Sequence, residues 1–225
     1  MNFLSYKSVK DLMRTLVKDV KLDLEQAIKH KNTATFVVPG GTTPGPLFDL
    51  LSTTDIEWNK VTVFSTDERW VETDSPRSNF GLIKRRLLKG PASNANLLAL
   101  FQKNKNLIDG AHSLSKSVSK HLPIDVLILG MGTDMHTASL FPNAEELIFA
   151  QSINAPAVVP IIPTNRSLEP RVTLSAKSLE TAFKTHVLVI GDDKKVAIKK
   201  AVTLEPSSAP ISQFLNNAFV HWCSK

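Results

Sequence analysis

Short apolar runs alternate along the chain with longer segments in which apolar residues recur at helical spacing. Runs of strand length occupy residues 34–38, 61–64, 96–100, 125–129, 171–174, 186–190 and 218–222. Helical spacing occupies residues 9–27, with Ser8 as the candidate N-cap, and then residues 44–50, 77–88, 107–121, 194–202 and 211–216. This alternation predicts βαβ units, and hence a mostly parallel sheet with helices on both faces.

Residues 143–170 do not fit the alternation. They contain four of the 13 prolines, at positions 156, 160, 163 and 170. Proline fixes φ and removes a backbone donor, so we expect an irregular excursion here, which is a candidate flap over a site. The chain shows no internal repeat, low-complexity segment or linker, so we expect residues 1–225 to form a single domain.

The composition is that of an ordinary globular domain, with 42% hydrophobic and 21% charged residues. It excludes disordered, collagen-like and disulfide-scaffold chains. No apolar run approaches the roughly 18 residues of a membrane span, and the N-terminal residues lack the apolar stretch of a signal peptide. The single cysteine, Cys223, cannot form an internal disulfide. We therefore expect a protein of the reducing cytoplasm with no membrane partner.

The charge balance is modestly basic, with 27 basic and 21 acidic residues and a formal net charge of +6. A basic excess can indicate a nucleic-acid partner, but the lysines are spread over the predicted helices and no arginine-rich arm is present. We therefore expect no nucleic-acid partner. A positive field that concentrates a small anionic substrate at a cleft explains the excess more simply.

Glycine is scarce, and six of the nine glycines directly follow predicted strands. Those six are Gly40, Gly41, Gly45, Gly130, Gly132 and Gly191. In open parallel sheets, ligands bind at the carboxyl ends of the strands. Turns from strand to helix favour glycine in any case, but the clustering predicts a shared site at this edge.

The first glycine cluster, Gly40-Gly41-Thr42-Thr43, lies between a strand and the helix predicted from Pro44. Free backbone amides, two hydroxyl groups and the positive end of a helix together favour an anion, and we expect phosphate to be that anion. No Gly-Lys-Ser/Thr sequence follows. The loop is therefore not a Walker loop for nucleoside triphosphates.

A second cluster begins at Asp67, directly after a predicted strand. Arg69 and Arg77 lie at the same edge, where a guanidinium group can hold phosphate or sugar oxygens through two hydrogen bonds. For Glu68 and Arg86, a solvated surface position is as good an interpretation as a position in the site, because runs of charge usually face water.

A third cluster, residues 130–142, has Asp134 two residues before His136 in a loop that contains glycine. A Rossmann fingerprint would need a third glycine where Met135 stands, so dinucleotide binding is a weak alternative. An unperturbed imidazole has a pKa of ~6.5 and a nearby carboxylate can orient it, so His136 is a candidate general base. An Asp-x-His pair can also begin a metal site, but no further ligand at suitable spacing supports one. We expect the other histidines to be structural or solvated: His30, His112, His121, His186 and His221.

Taken in order, these motifs resemble those of the bacterial 6-phosphogluconolactonase family, within the wider glucosamine-6-phosphate isomerase/deaminase-like group. The resemblance covers nearly the whole chain and depends most on GMGTDMHTASLFP, with support from VPGGTTP, STDERWV, SPRSNF, PRVTLS and VIGDDKK. It implies an α/β fold, a three-layer α/β/α sandwich whose mostly parallel sheet has a modified Rossmann topology. Glycine normally precedes the histidine in the family, and here Met135 does, so the loop must accept a β-carbon at that position.

The resemblance also implies roles for individual residues. His136 would be the general base, with Asp134 beside it. The implied phosphate ligands are Thr42, Thr43 and Lys194, beside Gly40 and Gly41. The implied contacts to the rest of the substrate are Asp67, Arg69, Arg77, Asn79 and Arg171.

The implied reaction is hydrolysis of 6-phospho-D-glucono-1,5-lactone to 6-phospho-D-gluconate, with no metal or organic cofactor. We expect a monomer or a weak homo-oligomer. The deaminase branch shares Asp67 and His136, but its motif continues toward Asn-Glu-Pro where this chain has Leu140-Phe141-Pro142, which favours the lactonase. Two alternatives stay open, a sugar-phosphate isomerase or deaminase and a non-catalytic sugar-phosphate sensor.

Overall fold

A seven-stranded parallel sheet forms the middle of the structure. The structure is a computed structural model, and it describes residues 1–163 and 169–225. The strands are β1 (Asn2–Ser5), β2 (Ala34–Val38), β3 (Val61–Ser65), β4 (Asp67–Arg69), β5 (Asn96–Leu97), β6 (Val126–Gly130), β7 (Val158–Ile161), β8 (Arg171–Leu174), β9 (Lys184–Ile190) and β10 (Phe219–Cys223). The large sheet has the order β1-β10-β9-β6-β2-β3-β5, and its strand pairs are parallel. The other strands form a small antiparallel sheet in the order β4-β8-β7.

Helices cover both faces of the large sheet. They are α1 (Val9–Lys31), α2 (Gly45–Leu51), α3 (Asn79–Arg86), α4 (Leu107–Val118), α5 (Glu145–Ala150), α6 (Ala176–Glu180) and α7 (Asp192–Ala201), with 3₁₀ turns at Trp58–Lys60, Gly90–Asn94, Ser119–His121 and Pro210–Phe214. Buried residues of α1, α2 and α3 belong to one hydrophobic core, and those of α4 to α7 belong to the other. The three-layer α/β/α sandwich that the resemblance implies is therefore confirmed.

The central strands have apolar side chains on both faces, which explains why their sequences are continuous apolar runs. In β6, Leu127 and Leu129 enter one core, whereas Val126 and Ile128 enter the other. Successive side chains of a strand point to opposite faces. A parallel sheet covered by helices on both sides buries both sets.

Helix α1 begins at the predicted N-cap and buries the predicted face. The Asp11 amide donates a hydrogen bond to Ser8 Oγ at 3.1 Å. Buried positions recur every four residues at Leu12, Leu16, Val20, Leu24 and Ile28. Although α1 has 23 residues, its remaining positions are largely polar. Among the described residues, no helix combines the length and the apolar content needed to cross a membrane.

Four local predictions differ from the structure. Of the strand predicted at residues 96–100, only Asn96–Leu97 forms one, β5. Residues 171–174 form a strand, β8, but it lies in the small antiparallel sheet. Residues 211–216 correspond to a 3₁₀ turn, Pro210–Phe214, and not to an α-helix. Residues 143–170 are not irregular throughout, because α5 and β7 lie within them. The part of the candidate flap at residues 164–168 lies outside the described residues.

Two of the histidines expected to be structural belong to a buried chain of hydrogen bonds. His186 Nδ1 lies 3.0 Å from His221 Nε2, and His186 Nε2 lies 3.1 Å from Asp23 Oδ2. Tyr6 Oη lies 2.9 Å from His221 Nδ1. Burial, together with the neighbouring His186, lowers the pKa of His221 from 6.5 to about 3. The His221 imidazole is therefore neutral in the folded protein at physiological pH.

We expect His221 to make the fold less stable as the pH falls. The unfolded chain takes up a proton on this imidazole near its ordinary pKa of ~6.5, whereas the folded chain does so only at about pH 3. Proton linkage then removes about 2 kcal/mol of stability between pH 7 and pH 5. Urea unfolding at both pH values should show this loss, and His221→Asn should reduce it. An equal pH dependence in the two proteins would contradict the assignment.

Candidate active site

A cavity of about 310 Å³ opens at the carboxyl ends of the parallel strands, where the glycine clusters predict a site. The loops after β2, β3 and β6 form its wall, together with residues of α7 and the small sheet. All of the predicted site residues line this cavity except Asp134 and Arg77. The fold therefore brings together motifs that are far apart in the sequence.

The loop after β2 presents the first glycine cluster to the cavity. Gly41 has a φ of +88°, a conformation that residues with a side chain rarely adopt, and it is exposed together with Thr42. Gly40 is needed for a different reason, because a β-carbon there would lie 2.0 Å from Asn79 Oδ1. Helix α2 then begins at Gly45, and no side chain of the described residues caps its first amides. The loop thus offers amides and hydroxyl groups to an anion.

Lys194 lines the same cavity from the first turn of α7. The N-cap of this helix is Gly191, at a φ of +108°. The next lysine has different surroundings, since Lys195 Nζ lies 3.5 Å from the centre of the Trp222 ring. Of these two neighbouring lysines, Lys194 is the one that adds positive charge to the cavity wall.

Backbone hydrogen bonds fold the loop after β6 back on itself. The Gly132 amide donates to the His136 carbonyl at 3.0 Å, and the Met135 amide donates to the Gly132 carbonyl at 3.0 Å. Met135 has a φ of +68°, in the left-handed region where a β-carbon costs on the order of 1 kcal/mol. Its side chain packs against the adjacent core. The loop therefore keeps the backbone shape of a glycine while accepting the β-carbon of Met135.

Asp134 and His136 form a hydrogen-bonded pair over Gly132. Asp134 Oδ1 lies 2.6 Å from His136 Nδ1. A β-carbon at Gly132 would lie 2.3 Å from Asp134 Oδ1 and 2.4 Å from His136 Nδ1, so the pair needs glycine there. An ionised carboxylate can only accept, so Nδ1 carries the proton and Nε2 keeps its lone pair. Because His136 lines the cavity, this imidazole can accept a proton from a molecule bound there.

The small sheet contributes two arginines to the cavity. Antiparallel pairing of β4 with β8 places Arg69 opposite Arg171, an arrangement of like charges that is unfavourable without an anion. Burial lowers the pKa of Arg171 from its ordinary value. The negative charge of Asp67 opposes this shift, and the positive charge of Arg69 adds to it. Among the described residues, the buried Arg69 Nε has no hydrogen-bond partner. A bound anion would offer acceptors to both guanidinium groups.

Asp67 is a buried carboxylate at the cavity wall that joins three parts of the site. Ser139 Oγ in the histidine loop donates to Asp67 Oδ2 at 2.5 Å, and Thr66 Oγ1 donates to Asp67 Oδ1 at 3.2 Å. Asn79 Nδ2, at the start of α3, donates to the Asp67 carbonyl at 2.7 Å. These contacts hold β4, α3 and the loop after β6 in one arrangement.

The structure does not bring the Arg77 side chain to the cavity wall. Arg77 Nη2 lies 2.9 Å from Glu169 Oε2, and the Arg77 carbonyl accepts a hydrogen bond from Arg69 Nη1 at 2.5 Å. Arg77 is therefore placed to hold Arg69. No local pattern could indicate the pairing with Glu169, because the two residues are 92 positions apart.

Glu68 is a structural anchor of the site that the sequence analysis missed. The residue is fully buried, and its carboxylate accepts hydrogen bonds from Ser78 Oγ at 3.0 Å and from the amides of Asn79 and Phe80 at 2.8 and 2.7 Å. Burial raises the pKa of Glu68, and these hydrogen bonds oppose the rise. The alternative of a solvated Glu68 is therefore wrong, whereas Arg86 does lie at the surface.

The donor groups of the cavity are suited to proton transfer beside a bound anion. Within residues 1–163 and 169–225, no group of three or more His, Cys, Asp or Glu side chains is placed to hold a metal ion. The cavity instead combines an imidazole paired with a carboxylate, two guanidinium groups, one ammonium group and a glycine loop. Such a site can take a proton from water next to a bound anion.

Comparison with known proteins gives a consistent picture. A family model described as glucosamine-6-phosphate isomerases/6-phosphogluconolactonase matches residues 7–222. The 6-phosphogluconolactonase of Pseudomonas putida is 34% identical over 221 residues, which cover 95% of this chain and 89% of that protein. The 6-phosphogluconolactonase of Mesorhizobium japonicum is 38% identical over 198 residues, covering 87% and 82%. A solved 6-phosphogluconolactonase structure from Shewanella baltica OS155 has a TM-score of 0.94 and 32% identity, and covers 100% of this chain and 98% of that chain. The chain therefore belongs to the glucosamine-6-phosphate isomerase/6-phosphogluconolactonase family.

Proposed function

We propose that this protein is a 6-phosphogluconolactonase, which hydrolyses 6-phospho-D-glucono-1,5-lactone to 6-phospho-D-gluconate. The observation that carries the proposal is the Asp134–His136 pair, 2.6 Å apart, at a cavity whose wall also contains Arg171 and Lys194. Hydrolysis of a phosphorylated lactone needs both parts, a base for the water and cations for the phosphate and the developing oxyanion. The relatives named 6-phosphogluconolactonase support this substrate.

The proposed chemistry uses His136 first as a base and then as an acid. A lactone carbonyl is already electrophilic, so the protein has to position a water, remove its proton and stabilise the oxyanion. His136 Nε2 accepts the proton while the water oxygen bonds to C1, and Asp134 stabilises the imidazolium that forms. When the tetrahedral intermediate collapses, the bond from C1 to the ring oxygen breaks and the imidazolium returns the proton to that oxygen. Water is the only co-reactant.

The two ends of the substrate have separate groups of candidate ligands. The phosphate would lie against Lys194 and the loop Gly40-Gly41-Thr42-Thr43, whose amides and hydroxyl groups favour an anion. The lactone oxygens would contact the remaining polar residues of the wall, Asp67, Arg69, Asn79 and Arg171. Binding energy from the remote phosphate then orients the carbonyl against the water.

Assays with two substrates test the proposed function against its rivals. The purified protein should accelerate hydrolysis of the phosphorylated lactone above the spontaneous rate and release no ammonia from glucosamine 6-phosphate. The sequence Leu140-Phe141-Pro142, where the deaminase motif has Asn-Glu-Pro, supports this expectation. Ammonia release without lactone hydrolysis would select the deaminase, and binding of sugar phosphates without turnover of either substrate would select a sensor.

Chelators should leave the activity unchanged, because the proposed water activation uses the His136 imidazole and the described residues contain no cluster of metal ligands. The measurement is the hydrolysis rate before and after incubation with EDTA and removal of the chelate. A loss of activity that one divalent metal restores would contradict this expectation and would give Asp134 and His136 a metal-binding role.

The proposal also covers the domain organisation, the localisation, the oligomeric state and the partners of the enzyme. Residues 1–225 would act as a single domain in the cytoplasm, as a monomer or weak homo-oligomer, without nucleic acid or membrane as partner. The dispersed lysines and the single buried cysteine, Cys223, support these points. Light scattering coupled to size-exclusion chromatography tests the oligomeric state.

A further inference from the structure

The His136 imidazole is held by a single ring hydrogen bond among the described residues, the one between Nδ1 and Asp134. Its side chain is 33% exposed. One hydrogen bond at Nδ1 fixes the tautomer, but it leaves the ring free to swing about that contact. A general base has to present Nε2 at a fixed angle to the water, since proton transfer requires hydrogen-bond geometry. A second constraint on the ring is therefore needed.

Phe141 makes the contact that can supply this constraint. The centres of the His136 and Phe141 rings are 4.9 Å apart and the ring planes are inclined by 44°, a favourable geometry for an aromatic pair. Phe141 is partly buried against the hydrophobic core that includes Leu140. It does not line the cavity. Its effect on a bound substrate would therefore be indirect, through the cavity residues that it contacts.

Phe141 is itself fixed by a residue of the small sheet. The guanidinium carbon of Arg171 lies 5.6 Å from the centre of the Phe141 ring, within the range of a cation–π interaction. Arg171 is buried on β8 and lines the cavity. The contacts run from the antiparallel sheet through Phe141 to the imidazole, so one aromatic ring sets the spacing between His136 and Arg171.

We propose that Phe141 is a positioning residue, which packs against His136 and holds the imidazole so that Nε2 faces the substrate water. The catalytic part of this inference depends on the proposed lactonase function. The contact with His136 would act on the chemical step, whereas the contact with Arg171 would act on substrate binding. A merely structural role would instead lower the stability of the fold and the fraction of active protein.

The kinetic test compares Phe141→Leu with Phe141→Tyr and with a control. Phe141→Leu keeps an apolar side chain but loses the ring, so kcat should fall about ten- to thirtyfold, the scale expected from a small misplacement of a reacting group. The KM should stay within about threefold. Phe141→Tyr keeps the ring and should retain most of the turnover. The control is Phe101→Leu, which removes a partly buried ring that packs on Trp70 at 5.0 Å outside the cavity wall; it should leave kcat unchanged.

Three kinetic outcomes would overturn the proposal. They are an unchanged kcat in Phe141→Leu, an equal loss in Phe101→Leu, and a rise in KM without a change in kcat, which would make Phe141 a support for ligand binding by Arg171. Failure of the wild-type protein to hydrolyse the lactone would instead refute the proposed function.

Crystal structures of the wild type and Phe141→Leu test the positioning itself without any assay. We expect one His136 rotamer in the wild type and more than one in the variant. An imidazole that keeps a single unchanged rotamer in Phe141→Leu would refute the positioning role, whatever the activity of the protein.

Discussion

Replacement of His136 by Asn should lower kcat by about 10²–10⁴-fold, which is the usual contribution of a general base. The fold and the KM should change little, because the side chain is partly exposed and the proposed phosphate ligands lie on other parts of the cavity wall. Asn cannot accept the proton of the water through a basic nitrogen, so the water would have to attack unaided. The measurement is the initial rate of hydrolysis of the phosphorylated lactone, with the spontaneous rate subtracted.

A matched control for this experiment is His112→Asn. His112 is exposed on α4 and does not line the cavity, so its replacement should leave the turnover unchanged. Equal unfolding midpoints for the two variants would show that the His136 effect is chemical. Turnover of His136→Asn within threefold of the wild type would remove this residue from the mechanism.

The sequence predicted the parts of the fold whose side chains are buried on both faces. Strands such as β2 and β6 are largely apolar because helices cover the sheet on each side. The small sheet was harder to predict. Strand β4 is only the charged tripeptide Asp67–Arg69, and it is a strand because β8 pairs with it from a distant part of the chain. Strand β7 contains Pro160, which a sheet accepts there because β7 lies at its edge.

The motifs of the candidate site could be predicted from the sequence, but the contacts that hold those motifs in place could not. The glycine loops and His136 follow from local rules on backbone freedom and proton transfer. The burial of Glu68 depends on the Ser78 hydroxyl group and on the amides of Asn79 and Phe80, all of which lie further along the chain. The contact between Phe141 and Arg171 depends on how β8 packs against the histidine loop. Such pairings are set by tertiary structure, and no local pattern encodes them.

Replacement of Lys194 by Ala should weaken binding of the phosphorylated lactone by about ten- to a hundredfold, because a hydrogen bond to a charged group contributes roughly 1.5–3 kcal/mol. Lys194 lines the cavity from the first turn of α7, on the wall that also includes the Gly40-Gly41 loop. Both groups would act on the phosphate and not on the reacting carbonyl. The KM should therefore rise while kcat changes less, and hydrolysis of the unphosphorylated lactone should hardly change.

Lys195→Ala is the matched control, since it removes the same charge from the next residue of the same helix. Lys195 packs over Trp222 at 3.5 Å and does not line the cavity, so this variant should bind both lactones as the wild type does. A general effect of net charge on an anionic substrate would appear equally in Lys194→Ala and Lys195→Ala. A direct phosphate contact would appear only in Lys194→Ala and only with the phosphorylated lactone. Equal losses on both lactones in Lys194→Ala, or no loss on either, would place the phosphate elsewhere and would contradict the proposed class of substrate.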